Sequence, residues 1–146
     1  MRAAAADPAL QAARVKSVNA AAALVAIAQR TLQADLAALA GRHDEAVRLL
    51  AEAVAAEDAL EHDEPHLWLA PTRHALGAAL LDAGRPAEAE RVYRQDLRHY
   101  PENGWSLRGL AQALQAQGLA DEARAVEARF RAAWRDADVV LQRSRY

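Results

Sequence analysis

One pattern of small and apolar residues occurs twice at a fixed offset, and this duplication limits the possible folds more than any other feature of the chain. The first copy consists of Leu76, Gly77, Gly84 and Ala89. The second copy lies 34 residues later and consists of Leu110, Ala111, Gly118 and Ala123. Sequence periods of about 20–50 residues are typical of proteins that stack one small supersecondary unit beside the next. Glycine commonly ends a helix, so each copy predicts a helix, a tight turn and a second helix.

The composition also favours an all-α protein. Alanine, the residue with the highest helix propensity, supplies 40 of the 146 residues, whereas aromatic residues make up only 5%. The 18 basic and 20 acidic residues give a net charge of -2, so the sequence predicts neither a nucleic acid nor a membrane as a partner. The lack of cysteine excludes disulfide bonds and thiolate metal sites.

Helix start and stop signals divide the chain into a short first helix and three helical hairpins, with no β-sheet. Asp7 and Pro8 begin the first helix, which is expected to end at about Val15. The hairpins are predicted at about residues 17–60, 70–101 and 102–137, and residues 139–141 are expected to extend the last helix. Pro65 and Pro71 prevent a continuous helix between the first two hairpins, which predicts an insertion loop at about residues 61–69.

The duplicated pattern resembles the tetratricopeptide repeat, whose units of 34 residues each form a helix, a turn and a second helix. In the second unit the matching positions are Leu76, Gly77, Leu80, Gly84, Ala89, Tyr93 and Pro101. In the third unit they are Leu107, Leu110, Ala111, Leu114, Gly118 and Ala123. Glu127 and Phe130 depart from the pattern. The resemblance implies structural roles for the matching positions, and a single domain of residues 1–146 in which three hairpins form a right-handed superhelix.

The resemblance is closer to one group of bacterial tetratricopeptide repeat proteins, and it depends on three stretches. They are Glu57 to Trp68, Arg73 to Arg94, and Asn103 to Leu107. Members of that group are longer proteins, so the resemblance implies that this chain is the C-terminal part of a longer array. The first residues, Met1-Arg2 and four alanines, predict the same. The family binds proteins and peptides, which implies that the chain is an interaction module.

The resemblance also assigns residues to the concave face of the superhelix, where such proteins receive their partners. Those residues are Thr31, Asp35, His74, Asp82, Trp105, Arg108, Gln112 and Gln115. Family members that clamp the C-terminal carboxylate of a partner use Lys, Asn and Arg there, and here only Arg108 corresponds. We therefore expect a polar or acidic peptide segment, held by stacking on Trp105 and by a charge-assisted hydrogen bond to Arg108.

The insertion contains the other candidates for binding chemistry. His62 and His66 lie four residues apart with carboxylates between them, a spacing compatible with a metal site. Because Pro65 lies between them, the two histidines do not reliably share one helix face, and the alternative is that they are polar side chains of a solvated loop. The sequence therefore predicts no metal and no cofactor. Glu64 belongs to an acidic cluster that either receives a basic peptide or pairs with nearby arginines. Trp68 either folds over the groove or packs in the core.

Catalysis is not predicted. The chain has no cysteine, and Ser17, Ser106 and Ser144 lie in no Gly-x-Ser-x-Gly or comparable setting. The alternative to an interaction module is a substrate-holding or metal-binding part of a larger bacterial enzyme. We expect a soluble protein, since no apolar run is long enough to span a membrane, and a cytoplasmic location is a separate expectation. An apolar patch on the first long helix predicts a weak homodimer.

Overall fold

The computed structural model describes residues 7–15, 19–61 and 71–145. In these ranges it has seven helices: α1 Pro8–Ala12, α2 Ala21–Leu39, α3 His43–Asp58, α4 Thr72–Asp82, α5 Pro86–His99, α6 Gly104–Ala116 and α7 Ala120–Ala133. A two-residue antiparallel pair, β1 Arg14–Val15 with β2 Asn19–Ala20, separates α1 from α2. The chain divides into two compact units, Met1–Thr72 and Arg73–Tyr146, named unit 1 and unit 2.

The predicted all-α class is confirmed, because consecutive helices form the secondary structure and pack as hairpins. The β1–β2 pair departs from the expected lack of strands, and it also changes two helix limits. Helix α1 ends at Ala12 and not at Val15, and α2 begins at Ala21 and not at Ser17, since Arg14–Val15 pairs with Asn19–Ala20 across this short ladder. Backbone N–H and C=O groups that would form hydrogen bonds within a longer helix instead form hydrogen bonds between the two strands.

The end of the last helix also differs from the prediction. Helix α7 ends at Ala133, and residues 139–141 are not helical and do not extend it. The indole Nε1 of Trp134 donates a hydrogen bond to the carbonyl oxygen of Val139 at 2.8 Å. This bond holds the chain in a turn directly after α7, so the following residues leave the helix axis.

The first helix of each hairpin ends at a glycine in the left-handed region. The φ angle is 73° at Gly41, 69° at Gly84 and 76° at Gly118. After Gly84 the backbone N–H of Arg85 donates to the carbonyl oxygen of Leu80 at 2.8 Å, the long bond of a Schellman motif. Glycine adopts this positive φ without the steric cost that a Cβ atom imposes, so these positions end the helices.

Unit 1 buries one face of each of its two long helices. The buried residues are Ile27, Ala34 and Ala37 of α2, with Ala46, Val47, Leu49, Leu50 and Ala53 of α3. Leu32, Leu36 and Leu39 lie on another face of α2 and are 41%, 57% and 86% exposed. The Asn19 side chain exchanges two hydrogen bonds of 2.9 Å with the backbone of Glu61, which joins the two ends of this hairpin.

Tyr93 of α5 lies at the centre of unit 2, where it is completely buried. A Cβ atom added to Gly77 of α4 or to Gly109 of α6 would overlap the ring of Tyr93. The ring therefore lies between two helices at positions where neither helix carries a side chain. Glycine inside a helix costs about 1 kcal/mol relative to alanine, and the space needed by this ring is the reason for glycine at both positions.

His74, Asp96 and Ser106 connect α4, α5 and α6 inside unit 2. Asp96 is 1% exposed, and its Oδ2 atom lies 2.6 Å from Ser106 Oγ and 3.1 Å from His74 Nε2. A carboxylate only accepts hydrogen bonds, so the serine and the histidine both donate to it. Oδ2 therefore receives two hydrogen bonds that link the three helices, whereas the buried Oδ1 atom has no hydrogen-bond partner among the described residues.

Candidate functional site

Residues 138–145, called the 138–145 segment, follow α7 without helical structure and lie against several of the predicted groove residues. Gln112 Nε2 donates to the carbonyl oxygen of Gln142 at 2.8 Å, and Arg108 Nε donates to the same oxygen at 3.3 Å. Arg143 Nη2 lies 2.9 Å and 2.7 Å from the two carboxylate oxygens of Asp82. Three side chains of α4 and α6 thus hold one stretch of polypeptide.

Two side chains of the 138–145 segment are buried in unit 2, Leu141 at 8% and Ser144 at 1% exposure. Ser144 Oγ donates to the carbonyl oxygen of His74 at 3.1 Å and lies 2.6 Å from the hydroxyl of Tyr93. A serine hydroxyl has one proton, so with that proton directed at His74 the Tyr93 hydroxyl must donate to Ser144. Burial raises the pKa of the Tyr93 phenol, which keeps this donor protonated. The pocket therefore fits a small group that donates and accepts at one atom.

Arg108 is oriented by its neighbours on α7. Its Nη1 atom lies 3.2 Å from Glu127 Oε2, and the centre of its guanidinium lies 5.7 Å from the centre of the Phe130 ring. A cation over an aromatic face is favourable by about 0.5–1 kcal/mol at an exposed site. These two contacts fix the plane of the guanidinium, so that its Nε–H points at the carbonyl of Gln142.

Comparison with known families identifies the architecture. Two models described as tetratricopeptide repeat match the chain, one over residues 24–102 and the other over residues 80–136. The chain belongs to the tetratricopeptide repeat family. Comparison with curated proteins gave no match. Domains of this family are generally protein–protein interaction modules, so the face that holds the 138–145 segment is the candidate site for a partner.

Trp105, which the repeat position predicts to stack on a ligand, lies in an aromatic cluster of unit 2. Its ring centre is 5.9 Å from that of Trp134, with the two rings at 85°. Trp134 also stacks on Phe130 at 5.9 Å, and a Cβ atom added to Gly104 would overlap its ring. The chain that follows α7 thus packs on Trp105 through the Trp134 ring, and a ligand role for Trp105 stays a prediction.

The remaining predicted groove residues of the tetratricopeptide array lie in different surroundings. His74 is only 7% exposed and lies in the interior rather than at an open groove, because its ring donates to the buried carboxylate of Asp96. Gln115 is exposed on α6. In unit 1, Thr31 Oγ1 donates to the carbonyl oxygen of Ile27 at 3.0 Å, and Asp35 is half-buried on the same helix. Ligand contacts by these residues stay predictions.

The repeat positions lie mostly in the interior of unit 2. Leu76, Ala89, Leu110 and Ala123 are buried, while Pro101 is exposed in the turn before α6. Each alanine lies in the second helix of a tetratricopeptide hairpin, at 0% and 5% exposure, where a larger side chain would need space that the hairpin lacks.

Sequence reasoning missed Leu141 and Arg143 as parts of the candidate site, and it missed the roles of Tyr93, Ser144 and Trp134 in and beside it. Tyr93 matched the tetratricopeptide pattern only as a packing residue, and Ser144 was considered only as a nucleophile. Trp134 follows α7 and has no counterpart in the repeat pattern. The available signal was the pair Gly77 and Gly109, since glycine inside a helix indicates close approach by a bulky group.

The candidates for metal and peptide binding in the predicted insertion cannot be compared with the structure. The insertion candidates His62, Glu64, His66 and Trp68 lie outside the described residues. In the parts of the chain that the structure does describe, no three His, Cys, Asp or Glu side chains lie where they could hold a metal. No helix in those parts is long and apolar enough to cross a bilayer.

The buried network of His74, Asp96 and Ser106 contains the residue types of a catalytic triad, but its geometry differs. In a triad the serine hydroxyl bonds to the histidine, whereas here both residues donate to the same carboxylate oxygen. Ser106 is also completely buried. The network therefore stabilises helix packing, and the prediction that the chain is not an enzyme stays a prediction.

Proposed function

We propose that unit 2 binds a segment of a partner protein across the face of α4 and α6 that carries Asp82, Arg108 and Gln112. The observation that carries the proposal is that this face holds a non-helical stretch of chain by one backbone carbonyl and one arginine. A main-chain carbonyl is present in every peptide, so Arg108 and Gln112 supply affinity that does not depend on sequence. Asp82 adds a preference for a cationic side chain.

This proposal revises the ligand expected from the sequence alone. The sequence predicts a polar or acidic segment held by Trp105 and Arg108. Trp105 packs against Trp134 and its ligand role stays a prediction, while Gln112 joins Arg108 on one carbonyl oxygen and the carboxylate of Asp82 receives an arginine. We therefore assign the two anchors to Arg108 and Gln112 and favour a basic residue beside them. The architecture of a helical repeat supports this assignment, since stacked hairpins present extended surfaces for partners.

The finer family placement is also a proposal. Arg73 to Arg94 and Asn103 to Leu107, which carry the resemblance to a group of longer bacterial tetratricopeptide repeat proteins, form most of α4 and parts of α5 and α6. In a longer array, a partner that contacts unit 2 also contacts neighbouring hairpins, which raises its affinity through several weak sites. A cytoplasmic location is part of the same proposal.

Selection of displayed peptides against the full chain tests the proposal. We expect the selected peptides to lose more than about 1 kcal/mol of binding free energy with Arg108→Ala or Gln112→Ala, the effect of removing an interface anchor. Arg91→Ala, on the exposed side of α5, is the matched control and should leave their affinity unchanged. Peptides that respond to Arg91→Ala and ignore the other two substitutions would place the binding site elsewhere.

A further inference from the structure

We infer that the 138–145 segment occupies, within its own chain, the site of a partner peptide, and that the partner carries the same order of chemistry. That order is a buried apolar residue, any residue, an arginine and a small hydroxyl residue, as in Leu141-Gln142-Arg143-Ser144. The inference depends on the proposed function, because it names the kind of peptide that the face of α4 and α6 recognises.

The hydroxyl position has the strictest requirement. Ser144 is 1% exposed, so its pocket has no space for a large side chain. Its Oγ atom must donate to the carbonyl oxygen of His74 and accept from the hydroxyl of Tyr93. Alanine at this position would leave the Tyr93 hydroxyl buried without its partner, which is unfavourable. The pocket therefore selects serine among the small residues.

The arginine position is recognised by charge. Asp82 and Arg143 are about equally exposed, at 44% and 45% of their side chains. A surface ion pair of this kind contributes little to the affinity and weakens with salt. Asp82 therefore selects a basic residue and favours encounter with a positively charged segment, while the buried Leu141 and Ser144 supply more of the affinity.

The contacts that hold the 138–145 segment are few enough to be exchanged. Val139 and Val140 are 58% and 89% exposed, and Gln142 and Arg143 are also exposed. Segments with few buried side chains open at a lower free energy than the packed helices of the same domain. A partner segment with the same anchors can therefore replace this one without unfolding unit 2.

Fluorescence anisotropy with a labelled peptide of residues 137–145 tests the inference on the full chain. In Arg143→Glu the segment carries a negative charge opposite Asp82, so it should leave the face open more often. Apparent affinity follows the fraction of molecules whose site is open, so a site open in about one molecule in ten binds about tenfold more weakly. We expect Arg143→Glu to bind the peptide several-fold more tightly than the wild type.

Matched variants separate release of the segment from general effects. Arg135→Glu makes the same change of charge at an exposed residue outside the segment and should leave peptide binding unchanged. Leu141→Ala removes a buried anchor and should also tighten binding, whereas Val140→Ala, at a residue 89% exposed, should not. Adding Gln112→Ala to Arg143→Glu should abolish the gain, and so should glutamate in place of arginine in the peptide.

Equal affinity for the wild type, Arg143→Glu and Leu141→Ala, or no binding to any of them, overturns the inference. Where displayed peptides bind through Arg108 and Gln112 but the 137–145 peptide neither binds nor competes with them, the proposed function stands and this inference alone is wrong. Where neither kind of peptide depends on these two residues, both are wrong.

Discussion

Tyr93 joins the interior of unit 2 to the 138–145 segment. Its ring lies between Gly77 and Gly109, and its hydroxyl donates to Ser144. One side chain therefore responds both to the packing of α4 against α6 and to the position of the segment. The hydroxyl donates this hydrogen bond only while it is protonated, so the hydrogen bond to Ser144 is lost when the phenol ionises at alkaline pH.

Folding should become less favourable above about pH 10, and Tyr93 is a main cause. Burial raises the pKa of its phenol in the folded state. An unfolded tyrosine ionises near pH 10, so above that pH the unfolded chain releases a proton that the folded chain keeps, and the free energy of unfolding falls by about 1.4 kcal/mol per pH unit. Below that pH both states are protonated and this contribution is fully present.

Urea denaturation of the wild type and of Tyr93→Phe between about pH 9 and pH 11 measures this effect, over the range around the reference pKa of tyrosine. Phenylalanine cannot ionise, so the variant should lose less stability over this range, although it starts lower because Ser144 loses a hydrogen-bond donor. If the free energy of unfolding changes with pH in the same way for the two proteins, the pKa of the Tyr93 phenol is the same in the folded and unfolded states.

At the scale of elements, the approach of α4 and α6 to the Tyr93 ring predicts an unusual response to Gly77→Ala and Gly109→Ala. In most helices this change is stabilising by about 1 kcal/mol. Here the new methyl group overlaps ring atoms that are enclosed on the opposite side by the second glycine. We expect each substitution to be destabilising, by about 1–3 kcal/mol, as is usual for an overpacked core.

Melting temperatures from circular dichroism report this effect, and a double-mutant cycle gives its cause. In a Tyr93→Leu background the ring is gone, so adding Gly77→Ala should be neutral or stabilising. If Gly77→Ala raises the melting temperature with Tyr93 still present, the ring is not confined between the helices as the structure has it.

At the scale of the whole molecule, the exposed face of α2 predicts weak self-association. Leu32, Leu36 and Leu39 recur at helical spacing and are 41%, 57% and 86% exposed. Contiguous apolar surface of this kind commonly marks a contact between proteins. We expect a concentration-dependent dimer in sedimentation velocity, and its disruption by Leu36→Glu.

Leu119→Glu provides the control, because Leu119 is also an exposed leucine, at 40%, but lies in unit 2. It should leave the dimer intact. A wild-type chain that sediments as a monomer at all concentrations would show that the α2 face does not associate with itself.

The order of helices and turns follows from the sequence alone. Gly84 and Gly118 end helices at the positions that the sequence predicts, because glycine adopts a positive φ without the steric cost that a Cβ atom imposes. The 34-residue period predicts hairpins, since each unit buries its apolar face only against the next one. Such signals are local or periodic, so they can be read before any tertiary contact is known.

Tertiary structure alone decided which predicted groove residues are open. The repeat pattern predicts that His74 lies on the surface. Its ring instead forms a hydrogen bond to the buried carboxylate of Asp96, and this bond holds the histidine in the interior. The course of the 138–145 segment was equally hidden, because a non-helical stretch has no period. Its position depends on Asp82, which lies 61 residues before Arg143 in the chain. Contacts at such separation form only after the helices between them have packed.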